Sequence, residues 1–588
     1  MRFRQIPWKW ILVSLAVLLL VGIVVVPRQI GTSADLRDRV AAALTEWTGA
    51  TITLTEPLSV RYFPSVSLRG GLVLTNATKL PMVRSITAKD FKISLSLPAL
   101  LVGHIDVDSL RLVQPKITLK DTVTERPDTL AVNALADSPV DAIRIRSGMI
   151  ETASGERLVS DLNARFDASG GGALSTFGSF DFRDKMVSFV IDSGTISEQT
   201  GTQKTDVTLS VTSDPVVAKF SGVARSGEAF ALDGDMQVEM PDARGFLNWV
   251  GLTLPEGKSL QNLSASGPVY WNGVTLIFAD GVFTLDGNSA VGLLAVTTGK
   301  RPKVDGTLAF EKLTLDPYLA DTEAAEGELF DWALLKYLDA DLRISAGEVS
   351  ASTMRLGRGG FTVTARNGAI SSEVGELELC EGDVSGRIGL DLSSPRTRAS
   401  FDGNLSNIAM EPCLAPFGLR IPIKGVGSVK LDVSTGGHTQ DELVRGLAGD
   451  LKVTAQNGSV PIDLPQLMSG GESSDGWTSQ NVTPFTSLDA DCRLSAGHIW
   501  CQSFKMETGR GLVSGSGSVD VGRQTLDWDL SIANPVAQLS ASQLVMEAPQ
   551  RVIISGPLTK PLIQRANRST LGDVPTQSGS GDTPVSPR

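Results

Sequence analysis

Beyond residue 50 the chain repeats one constraint: apolar and polar side chains take turns. In residues 91–97 (FKISLSL), Phe91, Ile93, Leu95 and Leu97 alternate with Lys92, Ser94 and Ser96. The same period recurs at 66–74, 105–112, 117–119, 207–211, 274–278, 361–363, 429–433 and 526–530. A period of two sends successive side chains to opposite faces of a strand, so each strand gains one apolar and one wet face. Gly, Asn-Gly and Asp-Gly punctuate these runs as hairpin turns do. The expected fold class is mainly β: an N-terminal transmembrane helix followed by an elongated, curled antiparallel sheet that forms a groove, with few short helices.

The later half echoes itself. Residues 338–349 read LDADLRISAGEV and 488–499 read LDADCRLSAGHI, identical at eight of twelve positions. Residues 361–370 (FTVTARNGAI) and 451–460 (LKVTAQNGSV) form a second pair. In both, the Asn-Gly step (Asn367-Gly368, Asn457-Gly458) is expected to supply the positive φ angles of a type I′ turn. Repeated strand–turn–strand units point to a repetitive β architecture that elongates, with two similar hairpins in one ordinary sandwich as the lesser reading.

Residues 11–26 (ILVSLAVLLLVGIVVV) are sixteen residues without a charge. At 1.5 Å per residue they cover ~24 Å, which Trp8, Lys9 and Trp10 extend toward the headgroups. Arg2, Arg4 and Lys9 precede the run and Arg28 follows it, placing the N-terminus in the cytoplasm and the body across the membrane. A cleaved signal peptide is the competing reading, and Val24-Val25-Val26-Pro27 makes a poor cleavage site. Either way the body is exported. Next, 35–49 (DLRDRVAAALTEWTG) places Leu36, Val40, Ala43, Leu44 and Trp47 at helical spacing, with Gly49 at the end. That helix either plugs the membrane end of the structure or lies on a sheet as an ordinary surface helix. A second helix is expected over 323–337 (EAAEGELFDWALLKY). Residues 121–140 read as a long connection, 461–482 as a loop, and 566–588 as a disordered tail.

Composition narrows the function. Against 53 Lys and Arg stand 65 Asp and Glu, a net charge of −12, which argues against binding nucleic acid through a basic face. Three histidines and four cysteines leave few ligands for a metal site, and no metal or cofactor is expected. The carboxylate pairs Asp339/Asp341 and Asp489/Asp491 supply too few oxygens for Ca²⁺ and read as solvated strand faces. His104, His438 and His498 are isolated. Residues 251–259 (GLTLPEGKS) end like a phosphate loop, but five residues separate the glycines and Pro255 lacks an amide, so they read as a turn. Neither G-x-S-x-G nor H-E-x-x-H occurs, and no enzyme activity is expected.

In an exported body, Cys380, Cys413, Cys492 and Cys501 read as two disulfides rather than four buried thiols. If Ala496-Gly497 is a two-residue hairpin loop, Ser495 faces His498, and stepping outward brings Cys492 opposite Cys501 in a non-hydrogen-bonded pair. The Cα separation there, ~4.5 Å, permits a disulfide. Cys380–Cys413 follows by elimination.

An apolar sheet face must be covered, and this chain offers few amphipathic helices for so many strands. Either sheets face each other in a sandwich, or one sheet curls so that its apolar face lines a groove. A groove needs apolar cargo, and a lipid acyl chain fits. Alternation nominates Phe91, Ile93, Leu95, Leu97, Ile105 and Val107 as groove lining, with plain sandwich core as the other reading.

Several segments follow one another in a fixed order: the N-terminal membrane run, Trp47-Thr48-Gly49, Tyr62-Phe63-Pro64, 93–103 (ISLSLPALLVG) and 105–115 (IDVDSLRLVQP). The order continues in 313–319 (LTLDPYL), Gly425-Val426-Gly427, Leu447-Ala448-Gly449-Asp450, Asn457-Gly458 and 554–561 (ISGPLTKP). This layout resembles the AsmA family of bacterial envelope proteins. It implies a protein held in the cell inner membrane by residues 11–26, with its body in the periplasm. The implied role is phospholipid movement and outer-membrane assembly, similar to bridge-like lipid-transfer proteins and without a catalytic residue. Its implied partners are phospholipid and other envelope or outer-membrane proteins. The alternative is a scaffold for outer-membrane protein insertion that carries no lipid. The expected organisation is an anchor over 1–30, β regions over 31–300 and 301–565, and the tail over 566–588.

Overall fold

The computed structural model describes residues 33–566 apart from 63–64, 79, 81, 97–98, 100–105, 121–139, 170–172, 200–201, 227–229, 255–256, 319–336, 352–353, 394–395, 415–422, 438–439, 469–473, 478–480, 521 and 534–548. The apolar run 11–26 lies outside the described residues, as do 121–139 of the expected connection, 323–336 of the second expected helix, 567–588 of the tail, His104 and His438. Among the described residues no helix is long and apolar enough to cross a membrane. Strand dominates, and the chain divides into two units: Met1–Leu313 with Asp331–Ile344, and Thr314–Phe330 with Ser345–Arg588.

The first unit opens with helix α1 (Ser33–Thr48) and continues through β1 (Thr51–Arg61), β2 (Val66–Thr75), β3 (Val83–Leu95), β4 (Val107–Val113), β5 (Lys116–Leu119) and β6 (Val140–Glu151). Then come β7 (Arg157–Ser169), β8 (Ala173–Phe182), β9 (Lys185–Ser193), β10 (Ser197–Gln199), β11 (Thr202–Ser213), β12 (Val216–Ser226) and β13 (Ala231–Met240). Helix α2 (Ala243–Val250) leads to β14 (Leu263–Trp271), β15 (Thr275–Leu285), β16 (Asn288–Thr297) and β17 (Lys303–Thr314). Neighbours pair antiparallel, except that β6 runs parallel to both β4 and β5. The short β10 adds only to β11, so β9 pairs directly with β11.

Helix α1 forms where the spacing of Leu36, Val40 and Leu44 predicts it, and stops at Gly49, whose φ of 62° suits the left-handed end of a helix. Those three side chains are sealed in one core with Leu68, Phe91, Ile93, Leu95, Val107 and Leu110. The helix thus packs onto a sheet.

In the second unit the strands from Gly359–Arg366 to Leu562–Arg565 pair in antiparallel hairpin sequence. Helices α3 (Met410–Leu414), α4 (Gln440–Gly446) and α5 (Leu464–Met468) fill three of its connections. Leu464 and Leu467 of α5 close a core with Phe485, Met506, Val513 and Ile554, so part of the expected 461–482 loop is helix.

Both disulfides form as expected, Cys380 with Cys413 and Cys492 with Cys501. Ala496 and Gly497 have φ of 51° and 78°, and the register runs Ser495 to His498, Leu494 to Ile499, Arg493 to Trp500 and Cys492 to Cys501. The two echoes fare differently. Asn367 and Gly368 make the hairpin turn, with φ of 52° and 81°, between Arg366 and Ala369. Asn457, at φ 50°, does not turn the chain: the strand Ala448–Val460 continues through it, and Gly458 pairs with Phe485. Partners on both sides hold that strand straight, leaving Asn457 as a bulge. Likewise Ser345-Ala346-Gly347 runs inside the strand Asp339–Ala351, although its counterpart 495–497 reverses direction.

Candidate functional site

The residues nominated for a groove come out as core. Phe91 and Ile93 are 0 % exposed, Leu95 and Val107 nearly so, and the α1 stripe covers them. With protein already seated on that face, no lipid can lie there. Leu97 and Ile105 lie outside the described residues. Asp108, adjacent to Val107 on the other face, is held above the usual carboxylate range by burial first and then by Asp106 and Asp141.

The apolar face does not end under α1. Directly paired neighbours carry it from strand to strand: Ile93 to Leu110, Leu110 to Ile143, Ile143 to Phe166, Phe166 to Thr176, and Thr176 to Ile191. It then runs from Ile191 to Leu209, Leu209 to Phe220 and Phe220 to Met236. Farther along, Val269 faces Phe278 and Phe278 faces Leu294, with Gly292 opposite Leu308. Pairing preserves the side on which each residue points, so one face stays apolar from β3 to β17.

Exposure changes along this path. Val207, Leu209, Val211, Met236, Val238, Leu294 and Leu308 are only half-buried. Strand β13 shows the segregation plainly: Leu232, Met236, Val238 and Met240 lie on the apolar side, and exposed Asp233, Asp235, Gln237 and Glu239 on the other. On that outer side Arg225 bonds Asp233 at 2.7 Å, and Gln237 donates to Glu239 at 2.7 Å. The backbone is satisfied by strand neighbours, the charges point away, and an apolar surface is left partly uncovered.

A cavity of about 250 Å³ opens on this face, walled by Ile191, Leu209, Phe220, Phe230, Leu232 and Trp271. Phe230 and Trp271 meet edge to face at 5.8 Å, and nearby Phe278 and Phe283 do so at 5.5 Å. At one end of the strands the face is roofed. Helix α2 and the residues after it pack Leu247, Leu252, Leu254 and Leu260 onto Met240, Leu263 and Leu285, which share the apolar side. Because the helix sits on this side and reaches back to β8, the sheet curls with its apolar face inward.

The sequence reading reached part of this surface, since 207–211 and 274–278 belong to it. It missed the strict alternation of β13 and the helix α2, whose signals were present: Asp242 caps the start, accepting from the Gly245 amide at 2.7 Å, and Gly251 ends it at φ 101°. The phosphate-loop-like 251–259 begins at that helix end, and Ser259 accepts from the Arg244 guanidinium. Of the carboxylate pairs, Asp339 binds Arg301, and Asp491 lies 3.7 Å from Lys452. His498 lies 3.7 Å from Asp520. Among the described residues no three possible metal ligands gather.

Compared with known protein families, residues 320–504 match the model of the AsmA family, just under a third of the chain. The resemblance read from the sequence is borne out there. No curated protein matches the chain.

Proposed function

We propose, with the AsmA match as premise, that this protein carries phospholipid along the half-exposed apolar face of β7–β17, anchored in the cell inner membrane by residues 11–26 with its body in the periplasm. One observation supports the proposal: the cross-strand path is sealed by α1 at Ile93, whereas from Leu209 to Leu308 its half-buried side chains Leu209, Met236, Leu294 and Leu308 flank a small buried cluster of Phe220, Val269 and Phe278. A sandwich core would seal both stretches.

The physical need is plain. Moving one chain of about sixteen carbons from bilayer into water costs on the order of 12 kcal/mol at ~0.8 per CH₂. Side chains such as Leu209, Met236 and Leu308 would keep that chain out of water while it moves, without making or breaking a bond. The outer face stays hydrated by Asp233, Asp235 and Glu239, which leaves the inner face as the apolar side of the sheet here. Movement is passive in this reading, and its direction comes from envelope or outer-membrane partners at the two ends.

A photo-crosslinking amino acid at Met236 tests the proposal against one at its outward neighbour Gln237, in intact cells and followed by mass spectrometry. Crosslinked phospholipid at 236 but not at 237 is the expected result. Equal labelling at both, or none at either, refutes it. Capture of unfolded outer-membrane barrel proteins instead would favour a scaffold without lipid carriage.

A further inference from the structure

The outer face of the first strands carries an unbroken row of cations. Arg69 of β2 stands opposite Lys92 of β3, Lys92 opposite Arg111 of β4, Arg111 opposite Arg144 of β6, and Arg144 opposite Arg165 of β7. Each is next in sequence to a residue of the core that α1 covers (Leu68, Ile93, Leu110, Ile143 and Phe166). Alternation therefore sends all five to the side of the sheet away from α1. At ~4.8 Å per strand the row covers about 19 Å. Arg146, two residues beyond Arg144 and opposite Val113, adds a further cation.

Like charges directly opposite each other across strands repel. Acids in the neighbouring row could relieve this, yet that row reads Ser67, Ser94, Ser109, Ala142 and Asp167. Asp167 bonds Arg165 at 2.5 Å. Among the described residues, Arg69, Lys92, Arg111 and Arg144 form no ion pair and no side-chain hydrogen bond, and Arg144 Nε is buried without a partner. A chain of net charge −12 has carboxylates to spare, and none is set against these four. The row then turns apolar: Arg165 faces Phe177 of β8, and Phe177 faces Val190 of β9, both exposed, as is Met186 on the same side.

A basic band running into exposed aromatic and aliphatic side chains suits an anionic bilayer surface. The cations meet phosphate oxygens, and the apolar side chains enter the headgroup layer. Chain length agrees. From Val26, where the apolar run ends, to Ser33, where α1 begins, are seven residues, at most ~25 Å when extended. Because α1 packs on the back of these same strands, an anchor at 11–26 keeps their outer face within reach of the membrane. An acidic protein could supply the same charges, but the tether favours the bilayer.

We propose that the outer face of β2–β9 docks on an anionic bilayer surface, with Arg69, Lys92, Arg111, Arg144 and Arg165 on phospholipid phosphates and Phe177 and Val190 inserted beside them. This rests on the anchor reading above and adds a second membrane contact to it, one that lays the body against the bilayer.

The test reconstitutes the full-length chain into liposomes of phosphatidylcholine, alone or mixed with phosphatidylglycerol. A photo-crosslinking amino acid replaces Phe177 or, in the apolar run, Leu20. Expected is lipid labelling at Phe177 in the mixed liposomes that falls several-fold in the neutral ones and in high salt, with Leu20 labelled alike in all. Lys92→Gln with Arg111→Gln should lower the docking equilibrium about 25-fold, at about fivefold per cation, read as loss of labelling at Phe177. The pair should not lower the melting temperature, since it removes directly opposed like charges. Arg69→Gln, at the exposed end of the row, should cost about fivefold alone. Labelling at Phe177 that ignores lipid charge or these substitutions, with Leu20 labelled, overturns the docking and leaves the anchor standing. Charge-dependent labelling at Phe177 without any at Leu20 keeps the docking and defeats the anchor, and labelling at neither defeats both. In cells, an acidic protein captured at Phe177 in place of lipid overturns the bilayer as partner.

Discussion

Cys492 and Cys501 stand directly opposite each other on the two strands leaving the Ala496-Gly497 turn, and a disulfide joins them nine residues apart in the chain. The other bridge, Cys380–Cys413, closes a separation of 33. If cross-links act mainly by restricting the unfolded chain, the longer loop matters more, about 4 kcal/mol against about 3. Replacing each pair by serine and measuring chemical denaturation should show the larger loss for Cys380/Cys413. The reverse order would mean that packing around Cys492 and Cys501, beside Leu451, Phe504 and Trp528, dominates.

Core and groove respond differently to charge. Ile93→Asp puts a carboxylate into a sealed core and should cost ~3 kcal/mol or more, enough to impair folding. Met236→Asp leaves its charge within reach of water and should fold, with a loss below ~1 kcal/mol, while losing lipid labelling nearby. Thermal melts of the two variants check this, and similar melting losses would place Met236 in a core after all.

Gly222 and Gly234 face each other across β12 and β13. A Cβ on Gly222 would lie 2.3 Å from the Asp233 carbonyl oxygen and 2.5 Å from the Gly234 Cα. Neither atom belongs to a movable side chain. Gly222→Ala should therefore push the strands apart at ~1–3 kcal/mol. Hydrogen exchange of the β12 and β13 amides should speed up, and wild-type protection would show the approach to be looser.

Asp529 accepts from Arg551 Nε at 2.7 and 2.9 Å and is also bonded to Nη2. Those bonds hold its carboxyl below the usual range. A depressed folded value means the pair stabilises above the unfolded pKa, about 3.9, and loses that contribution as pH falls through the lowered value. Arg551→Gln should thus lower stability slightly at pH 7 and make no difference at strongly acid pH. Because both side chains are substantially exposed, salt should shrink the effect. A deficit that persists in acid would assign Arg551 a packing role instead.

Alternation read from the sequence located the strands well, because a half-wet sheet leaves its period in the residues themselves. It did not tell Phe91 from Met236, which occupy equivalent places on the same face. What separates them is α1, whose Val40 lies far from Phe91 in the chain and joins its core only in the fold. Turn chemistry was legible where the strands end, as at Asn367-Gly368 and Ala496-Gly497. It misled at Asn457-Gly458, since an Asn-Gly step permits reversal, and partners on both flanks here forbid it. Helix α2 was written locally in Asp242 and Gly251, but its target at Phe182 was not.

Each strand from β7 to β17 meets its neighbours by pairing that hands on the orientation of the pleat. A molecule built this way can grow by whole hairpins, each advancing the sheet by about two strand spacings, ~9.6 Å, without redesign of what lies on either side. A single-residue insertion within a strand would turn the remainder of that strand inside out. Span can therefore vary among such chains in discrete steps, with the lining chemistry conserved by arithmetic.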